Sequence, residues 1–261
     1  MTKTALITGA SSGIGKVFAQ HLAAKNYDLF ITARRSDLLE NLANEIREKH
    51  KVKVTPLVID LITVEGRDTL FSETEGKGHQ IDLLVNNAGF GYAGSFLKQT
   101  RESIIQMIEL NVTAVTDITH FFAKKMTERK HGEMIIVSSV AAFQAIPYFS
   151  VYTATKAYDK FLAQSLYHEL QKHNVHVLTL CPGKTSTEFA KIASMSEQKF
   201  DRNSMSCDIV VRGCLKALKK KKWQYVPGIK NRFIIGVQTF FSQKFVSKVA
   251  GGVVRKDQQE T

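Results

Sequence analysis

The sequence has few cysteines and no long apolar run. Its three cysteines, Cys181, Cys207 and Cys214, are an odd number and have neither metal-binding nor redox spacing. This pattern argues against a disulfide framework and fits a reducing compartment, so we expect a cytoplasmic protein. No apolar stretch approaches the ~20 residues of a membrane span. Glycines interrupt the apolar N-terminus, which predicts a strand and a turn rather than a signal peptide.

Metal-ligand patterns are also missing from the sequence. The eight histidines include no HExxH motif, in which two ligands lie one helical turn apart. His168, His173 and His176 are close together in the chain. A solvated helix end explains this cluster better than metal ligation does, so we expect no metal site.

Acidic side chains are outnumbered by basic ones. The chain contains 36 basic and 24 acidic residues, which gives a net charge of +12. Such an excess favours an anionic partner: nucleic acid, a phosphorylated cofactor or an anionic lipid surface. No known nucleic-acid motif appears, so we expect no nucleic-acid partner. Solubility alone would account for much of the excess.

Short apolar strands alternate with helices along the chain of 261 residues. We find no repeat, linker or second domain. The alternation predicts one α/β domain over residues 1–261, with a doubly wound parallel sheet of about seven strands and helices on both faces, in three α/β/α layers. The predicted strands are 4–8, 28–33, 52–59, 81–85, 133–137, 175–180 and 223–226, and the longest predicted helix is 102–126.

A glycine-rich turn follows the first strand and leads directly into a helix. Its spacing is G-x-x-x-G-x-G, which differs from G-x-G-x-x-G. Glycines make such a turn tight and let a phosphate reach the backbone N–H groups at the helix N-terminus. We interpret it as a phosphate site, the alternative being a purely structural turn. Its candidate residues are Gly9, Ser11, Ser12, Gly13, Ile14 and Gly15.

The end of the second strand bears on the choice of cofactor. A dinucleotide fold that binds NAD usually has an acidic residue there, but this chain has Ala33 followed by Arg34 and Arg35. Arginine suits a 2′-phosphate, because a guanidinium matches phosphate geometry. The pair favours NADP(H), although two solvated arginines before a helix would look the same. Asp60, after the third strand, could accept a hydrogen bond from an adenine amino group or cap the next helix.

Two further segments are expected near the bound cofactor or substrate. Asn87, Ala88 and Gly89 follow the fourth strand and predict a polar turn beside the cofactor, unless they form an ordinary strand-to-loop turn. Residues 188–206 mix polar and apolar side chains without a clear period. Such a segment could be a mobile lid over a substrate.

Tyr152 and Lys156 are four positions apart, so on a helix they share one face. A free tyrosine loses its proton only near pH ~10, and a cation one helical turn away lowers that pKa. Such a phenol can exchange a proton with a substrate oxygen near neutral pH. Ser138 or Ser139, at the end of a buried strand, could hydrogen-bond the same oxygen. Considered alone, a tyrosine and a lysine at this spacing are more often an exposed pair on a helix surface.

Several motifs together resemble the short-chain dehydrogenase/reductase family over roughly residues 2–228. The sequence TGASSGIG at 8–15 resembles the family's cofactor turn, and NNAG at 86–89 resembles its sheet-stabilising motif. A PG-x-x-x-T segment, which the resemblance places near the nicotinamide, includes Pro182, Gly183, Thr185 and Thr187. The resemblance implies a Rossmann-like fold, a small-molecule carbonyl or alcohol substrate, and a homodimer or homotetramer.

The resemblance also assigns a catalytic tetrad. Tyr152 would be the general acid in reduction and the base in oxidation. Lys156 would lower the pKa of Tyr152 and hydrogen-bond the nicotinamide ribose. Ser139, 13 positions before Tyr152 and therefore preferred over its neighbour, would orient the substrate carbonyl. Asn111, inside the long predicted helix, would hold a water that continues a proton relay to Lys156.

Residues 229–261 are predicted to form an amphipathic C-terminal extension. Its apolar side chains recur at helical spacing among basic ones. The extension could close the substrate pocket, pack on another subunit or touch an anionic membrane surface through 229–256. We favour the pocket or the subunit. The predicted function is NADPH-dependent reduction of a hydrophobic ketone or aldehyde, the alternatives being a silent NADP-binding sensor and a peripheral membrane protein.

Overall fold

The computed structural model describes residues 2–189, 193 and 204–259, with side chains through residue 254. Its strands are β1 Thr4–Thr8, β2 Asp28–Ala33, β3 Val54–Val58, β4 Leu83–Asn86, β5 Gly132–Val137, β6 Val175–Leu180 and β7 Gln224–Tyr225. They form one sheet in the order β3-β2-β1-β4-β5-β6-β7, and every neighbouring pair is parallel. The order reverses between β1 and β4, so the predicted doubly wound sheet is confirmed.

Helices cover both faces of the sheet. They are α1 Gly13–Ala23, α2 Ser36–His50, α3 Val64–Glu73, α4 Arg101–Ile108, α5 Val115–Glu128, α6 Ser150–Leu170, α7 Cys207–Lys219, α8 Ile229–Gln238 and α9 Gln243–Gln259. In the part of the chain that the structure describes, no helix combines the length and the apolar character needed to cross a bilayer.

Neighbouring residues of one strand enter opposite cores. Ile7 of β1 packs with α1, α2 and α7 on one face, whereas Leu6 packs with α3, α5 and α6 on the other. Side chains of a strand point alternately to its two faces, and a parallel sheet buried on both sides therefore needs a continuous apolar run. This is why the strands were recognisable in the sequence, and it confirms the three-layer prediction.

Three predicted elements differ from the structure. The edge strand β3 is shorter than 52–59. Strand β4 begins at Leu83 rather than residue 81, and Asp82 Oδ2, just before the strand, accepts the Thr4 N–H at 2.8 Å. The helix predicted over 102–126 is interrupted between α4 and α5 by a π-helical turn at Glu109–Ala114. Such turns occur frequently at functional sites.

Candidate functional site

A cavity of about 680 Å³ opens at the carboxyl edge of the sheet. It lies where the strand order reverses between β1 and β4, the position at which open α/β sheets bind ligands. Helices α6, α8 and α9 contribute to its walls. The predicted site residues that line it are Gly9, Ser12, Gly13, Ile14, Asn87, Ala88, Gly89, Ser139, Tyr152, Lys156, Pro182, Gly183, Thr185 and Thr187.

The glycine turn between β1 and α1 forms one end of this cavity. Gly9 and Gly13 have φ values of 66° and 55°, which residues with a side chain rarely adopt. A Cβ on Gly9 would lie 2.9 Å from Ala88 Cα, and one on Gly13 would lie 2.9 Å from Thr187 Cγ2. Ser12 makes no side-chain capping bond, and the first N–H groups of a helix have no intrahelical acceptor. The glycines therefore let the turn pack against Ala88 and Thr187, and the helix N-terminus supplies N–H donors of the kind that bind phosphate.

Asparagines hold the turn after β4 against the glycine turn. Thr8 Oγ1 accepts hydrogen bonds from the backbone N–H groups of Asn87 and Ala88, each at 2.9 Å. Asn87 Nδ2 donates to Thr8 O at 2.9 Å, and Asn86 Nδ2 donates to Val115 O at 3.1 Å. These bonds fix the two turns relative to each other and to α5. The polar turn expected from the sequence thus lies at the cavity edge, where it holds the glycine turn in place.

Arg35 lies beside the serines of the glycine turn. Its Nη2 donates to Ser12 Oγ at 2.8 Å and to Ser11 Oγ at 3.1 Å. Its Nη1 lies 2.8 Å from Glu188 Oε2. A guanidinium held next to a phosphate-compatible turn can bind a further phosphate. Of the two arginines, Arg35 therefore has the better position for a cofactor 2′-phosphate.

The Asp60 carboxylate contacts its own loop and Arg34. Its Oδ1 accepts the Ile62 N–H at 3.1 Å, and its Oδ2 lies 3.9 Å from Arg34 Nη1. Helix α3 is capped instead by Thr63, whose Oγ1 accepts the Gly66 N–H at 3.0 Å. The interpretation of Asp60 as a helix cap is therefore wrong. Its contact with an adenine amino group stays a prediction.

The first two turns of α6 place Tyr152 and Lys156 in the cavity wall, where both side chains are buried. Lys156 Nζ donates to Val137 O and to Asp159 Oδ2, each at 2.9 Å. It also lies 3.4 Å from the position that a Cβ on Gly89 would occupy. The ammonium group is thus positioned between α6, the end of β5 and the turn after β4.

Ser138 and Ser139, the two serines after β5, make different hydrogen bonds. Ser138 Oγ donates to Lys156 O at 2.7 Å and ties the start of α6 to the sheet. Ser139 Oγ accepts the Ala141 N–H at 3.1 Å and lines the cavity next to Tyr152. A serine hydroxyl has one donor and two acceptor positions, so it can also hydrogen-bond a substrate oxygen. This geometry supports Ser139, the serine that the sequence comparison with the family preferred.

Asn111 lies in the π-helical turn, behind the cavity wall. Its Oδ1 accepts the Phe90 N–H at 3.1 Å, and its Nδ2 donates to Phe90 O at 2.8 Å and to Thr155 Oγ1 at 3.1 Å. The side chain therefore joins the turn after β4 to α6. Its role in a water relay stays a prediction.

The pKa of Tyr152 is raised above its ordinary value, contrary to the sequence-based expectation. Burial raises this pKa most, Lys156 and the Ser139 hydroxyl lower it, and Asp159 raises it further. Burial disfavours a phenolate more strongly than one nearby cation favours it. Tyr152 is therefore a protonated phenol at neutral pH, the form that can donate a proton.

Asp159 is the buried partner of Lys156 that sequence reasoning missed. The carboxyl is fully buried, and its Oδ1 has no hydrogen-bond partner. Burial raises the pKa of Asp159 to about 6 in spite of Lys156. At pH 7 the carboxyl is thus mostly ionised and faces a charged lysine. Its i, i+3 spacing from Lys156 on one helix was the available signal.

We expect Asp159→Asn to move the alkaline limb of the kcat/KM profile to lower pH. Burial lowers the pKa of Lys156, but Asp159 and Tyr152 outweigh it and leave that pKa raised. Without the Asp159 carboxylate, burial lowers the pKa of Lys156 with less opposition from a neighbouring negative charge. The ammonium group therefore loses its proton at a lower pH. The measurement is kcat/KM from slightly acidic to alkaline pH.

The matched control for this test is Asp68→Asn, which removes an exposed carboxylate from α3. Its profile should superimpose on that of the unsubstituted protein. Superimposable profiles for Asp159→Asn as well would show that Asp159 does not govern the protonation of Lys156.

Aromatic rings surround Tyr152. Phe149 stacks on it with ring centroids 4.4 Å apart, and Phe189 lies at 5.2 Å. Both phenylalanines line the cavity, yet neither was predicted. Phe149 precedes Tyr152 by three positions, which was a usable helical signal, whereas the approach of Phe189 depends on the fold. The rings exclude water from the phenol and raise its pKa through burial.

The segment after β6 closes the cavity on the side of α1. The Val140 N–H donates to Pro182 O at 2.9 Å, and Thr185 Oγ1 donates to Gly183 O at 2.9 Å. Thr187 approaches Gly13 as described above. The lid predicted over 188–206 falls mostly outside the described residues.

A family model described as short chain dehydrogenase matches residues 3–222. Very-long-chain 3-oxoacyl-CoA reductase of Mus musculus is 29% identical over 218 residues, covering 82% of this chain and 68% of that protein. The chain spans only 61% of the length of the rat and human proteins of that name.

Solved structures agree in fold. A short-chain dehydrogenase from Sphingobium yanoikuyae, solved in complex with NADPH, is 30% identical with a TM-score of 0.84, covering 91% of this chain and 94% of that chain. A bulky-bulky ketone specific alcohol dehydrogenase from Comamonas testosteroni is 28% identical with a TM-score of 0.77, covering 92% and 95%.

Proposed function

Because the chain belongs to the short-chain dehydrogenase family, we propose that it transfers a hydride between NADP(H) and a carbonyl compound or secondary alcohol, in the cytoplasm. One observation carries the proposal: Ser139, Tyr152 and Lys156 share one cavity with the glycine turn. Proton-transfer groups and a phosphate-compatible turn are thus within the span of one dinucleotide. A bound nicotinamide would supply the hydride.

The chain's own residues handle the substrate oxygen and its proton. The Ser139 hydroxyl hydrogen-bonds the carbonyl oxygen and orients it. Tyr152, protonated at neutral pH, donates its proton to this oxygen as negative charge develops. The charged Lys156 favours the resulting phenolate, and Asp159 keeps Lys156 protonated. In the oxidative direction the same groups act in reverse.

The inner wall of the cavity supports a hydrophobic substrate. Away from the glycine turn, its lining is dominated by aliphatic and aromatic side chains, many of them from α8 and α9. An apolar pocket with a few convergent polar groups binds apolar compounds in a defined orientation. We propose a ketone or aldehyde with a long apolar part, a class that includes lipid-derived carbonyls. The names of the 3-oxoacyl-CoA reductases and of the bulky-ketone dehydrogenase fit this class.

The first experiment is NADPH oxidation with ketones and aldehydes of increasing chain length, with NADH in parallel. We expect turnover with NADPH and a rise of kcat/KM with apolar length. Flat kcat/KM across the series would refute the hydrophobic substrate. Tight NADPH binding without turnover of any compound would favour the alternative of a cofactor-binding sensor.

We expect Arg35→Ala to raise KM for NADPH roughly 10- to 30-fold and to leave KM for NADH nearly unchanged. Loss of a hydrogen bond to a charged group weakens binding by about this amount, and only NADPH has the extra phosphate. Steady-state kinetics with both cofactors provide the measurement. Arg101→Ala, at an exposed position on α4, is the control. An equal loss with both cofactors would contradict the assignment of Arg35.

We also propose a homodimer or homotetramer built through α4 and α6. Ile105, Ile108, Tyr158 and Phe161 expose large apolar side chains on these two helices. Burial of such side chains between copies is favourable.

A further inference from the structure

The excess of positive over negative charge in this protein lies in one part of the chain. Residues 209–256 contain 12 lysines and arginines and no aspartate or glutamate, whereas the rest of the chain contains 24 basic and 24 acidic residues. The whole net charge of +12 therefore belongs to residues 209–256, which cover most of α7, all of α8 and most of α9. Solubility alone does not require such segregation.

The same segment exposes large apolar side chains. Phe240, in the connection between α8 and α9, is 87% exposed, and Phe233 on α8 is 69% exposed. Exposed cations lie among them, at Lys230, Arg232, Lys244 and Lys248. We call α8, α9 and the connection 239–242 the mouth surface. Exposed aromatic rings interspersed with cations are typical of helices that lie in a bilayer interface.

The mouth surface is continuous with the cavity. Phe241, Phe245 and Val249 line the cavity and are also about half exposed. A side chain that lines the cavity and is also exposed to solvent lies at the opening of that cavity. The cavity therefore opens between α8 and α9. The apolar inner wall and the apolar outer surface therefore form one path.

We propose that the mouth surface docks on an anionic lipid bilayer and admits a membrane-dissolved carbonyl substrate directly into the cavity. The docking depends on the surface alone, whereas the entry of substrate rests on the proposed function. The cations would meet acidic headgroups, and the exposed phenylalanines would enter the acyl boundary. A two-fold contact between two copies through this surface would bring like charges together, which is unfavourable.

The test compares the full chain with a variant that combines Phe240→Ser, Lys244→Glu and Lys248→Glu, which we call the docking variant. None of these three residues lines the cavity. Sedimentation with phosphatidylcholine vesicles, with and without phosphatidylglycerol, measures binding. We expect the unsubstituted protein to bind the anionic vesicles and the variant to bind them at least about 30-fold more weakly. Salt should weaken the binding of the unsubstituted protein.

The matched control carries Leu97→Ser, Lys49→Glu and Lys172→Glu, which make the same change of charge and remove one exposed apolar side chain elsewhere. It should bind like the unsubstituted protein. The proposal would be overturned if the docking variant and the control variant bound the vesicles equally, or if the unsubstituted protein showed no preference for anionic vesicles. A shift of the docking variant to a smaller assembly in sedimentation velocity, with no loss of vesicle binding, would assign the surface to a second copy.

Activity separates this proposal from the proposed function. Turnover of a short, water-soluble ketone should be unchanged in the docking variant, while turnover of a long-chain ketone supplied in anionic vesicles should fall at least about 10-fold. Equal loss on both substrates would show damage to the site itself. Vesicle binding without any turnover would leave docking supported and refute the oxidoreductase proposal.

Discussion

Replacing Tyr152 with phenylalanine is expected to lower kcat/KM for carbonyl reduction about 10²- to 10⁴-fold, the range for loss of a general acid. In the proposed reaction the phenol, which is buried beside Ser139 and Lys156, donates the proton, and phenylalanine keeps its ring but not its hydroxyl. Stacking on Phe149 and contact with Phe189 do not need the hydroxyl. The affinity for NADPH should therefore change little, which fluorescence titration of NADPH would show.

Tyr158→Phe is the control for this change. Tyr158 lies on the same helix, is partly exposed, and its hydroxyl lies 2.8 Å from Thr116 Oγ1. Loss of this hydroxyl should alter kcat/KM by no more than about twofold, because Tyr158 does not line the cavity and phenylalanine keeps its ring. Full activity in Tyr152→Phe would show that another group, or water, supplies the proton.

Gly15→Ala is expected to lower kcat/KM with NADPH about 100-fold, as a misplacement of about 1 Å in a site can do. The added Cβ would lie 2.3 Å from Gly9 O and 2.7 Å from Asn87 Nδ2. A backbone carbonyl cannot rotate away, so the glycine turn must move, and the N–H groups that we propose to bind phosphate move with it. The free energy of unfolding should also fall by about 1–3 kcal/mol, as for other overpacked sites.

Gly236→Ala separates this steric effect from the helix propensity of alanine. Gly236 also lies in a helix, but a Cβ there would have no heavy atom within 4 Å. This variant should keep its activity and gain up to about 1 kcal/mol of stability. Denaturant unfolding and cofactor kinetics of both variants provide the comparison. An active, undamaged Gly15→Ala protein would show that the turn has more freedom than the structure indicates.

Interruptions of regular structure were the hardest features to predict. The apolar side chains between 102 and 126 continue a helical period, so nothing local distinguishes the π-helical turn around Asn111 from ordinary helix. The turn is supported by bonds from Asn111 to Phe90 and Thr155, which are distant in sequence. Likewise, the bond from the Thr4 N–H to the Asp82 carboxylate just before β4 joins residues that are 78 positions apart. Long-range partners of this kind cannot be deduced from local periodicity.

The amino-acid sequence by itself determined the strands, the glycine turn and the residue types of the candidate site. Parallel strands buried on both faces need apolar runs, and a turn with left-handed residues needs glycine, so both requirements appear locally. The tertiary structure alone decided the protonation of Tyr152 and the environment of Lys156. Those properties depend on burial among α6, the sheet and the aromatic rings, and desolvation exists only once the chain is folded.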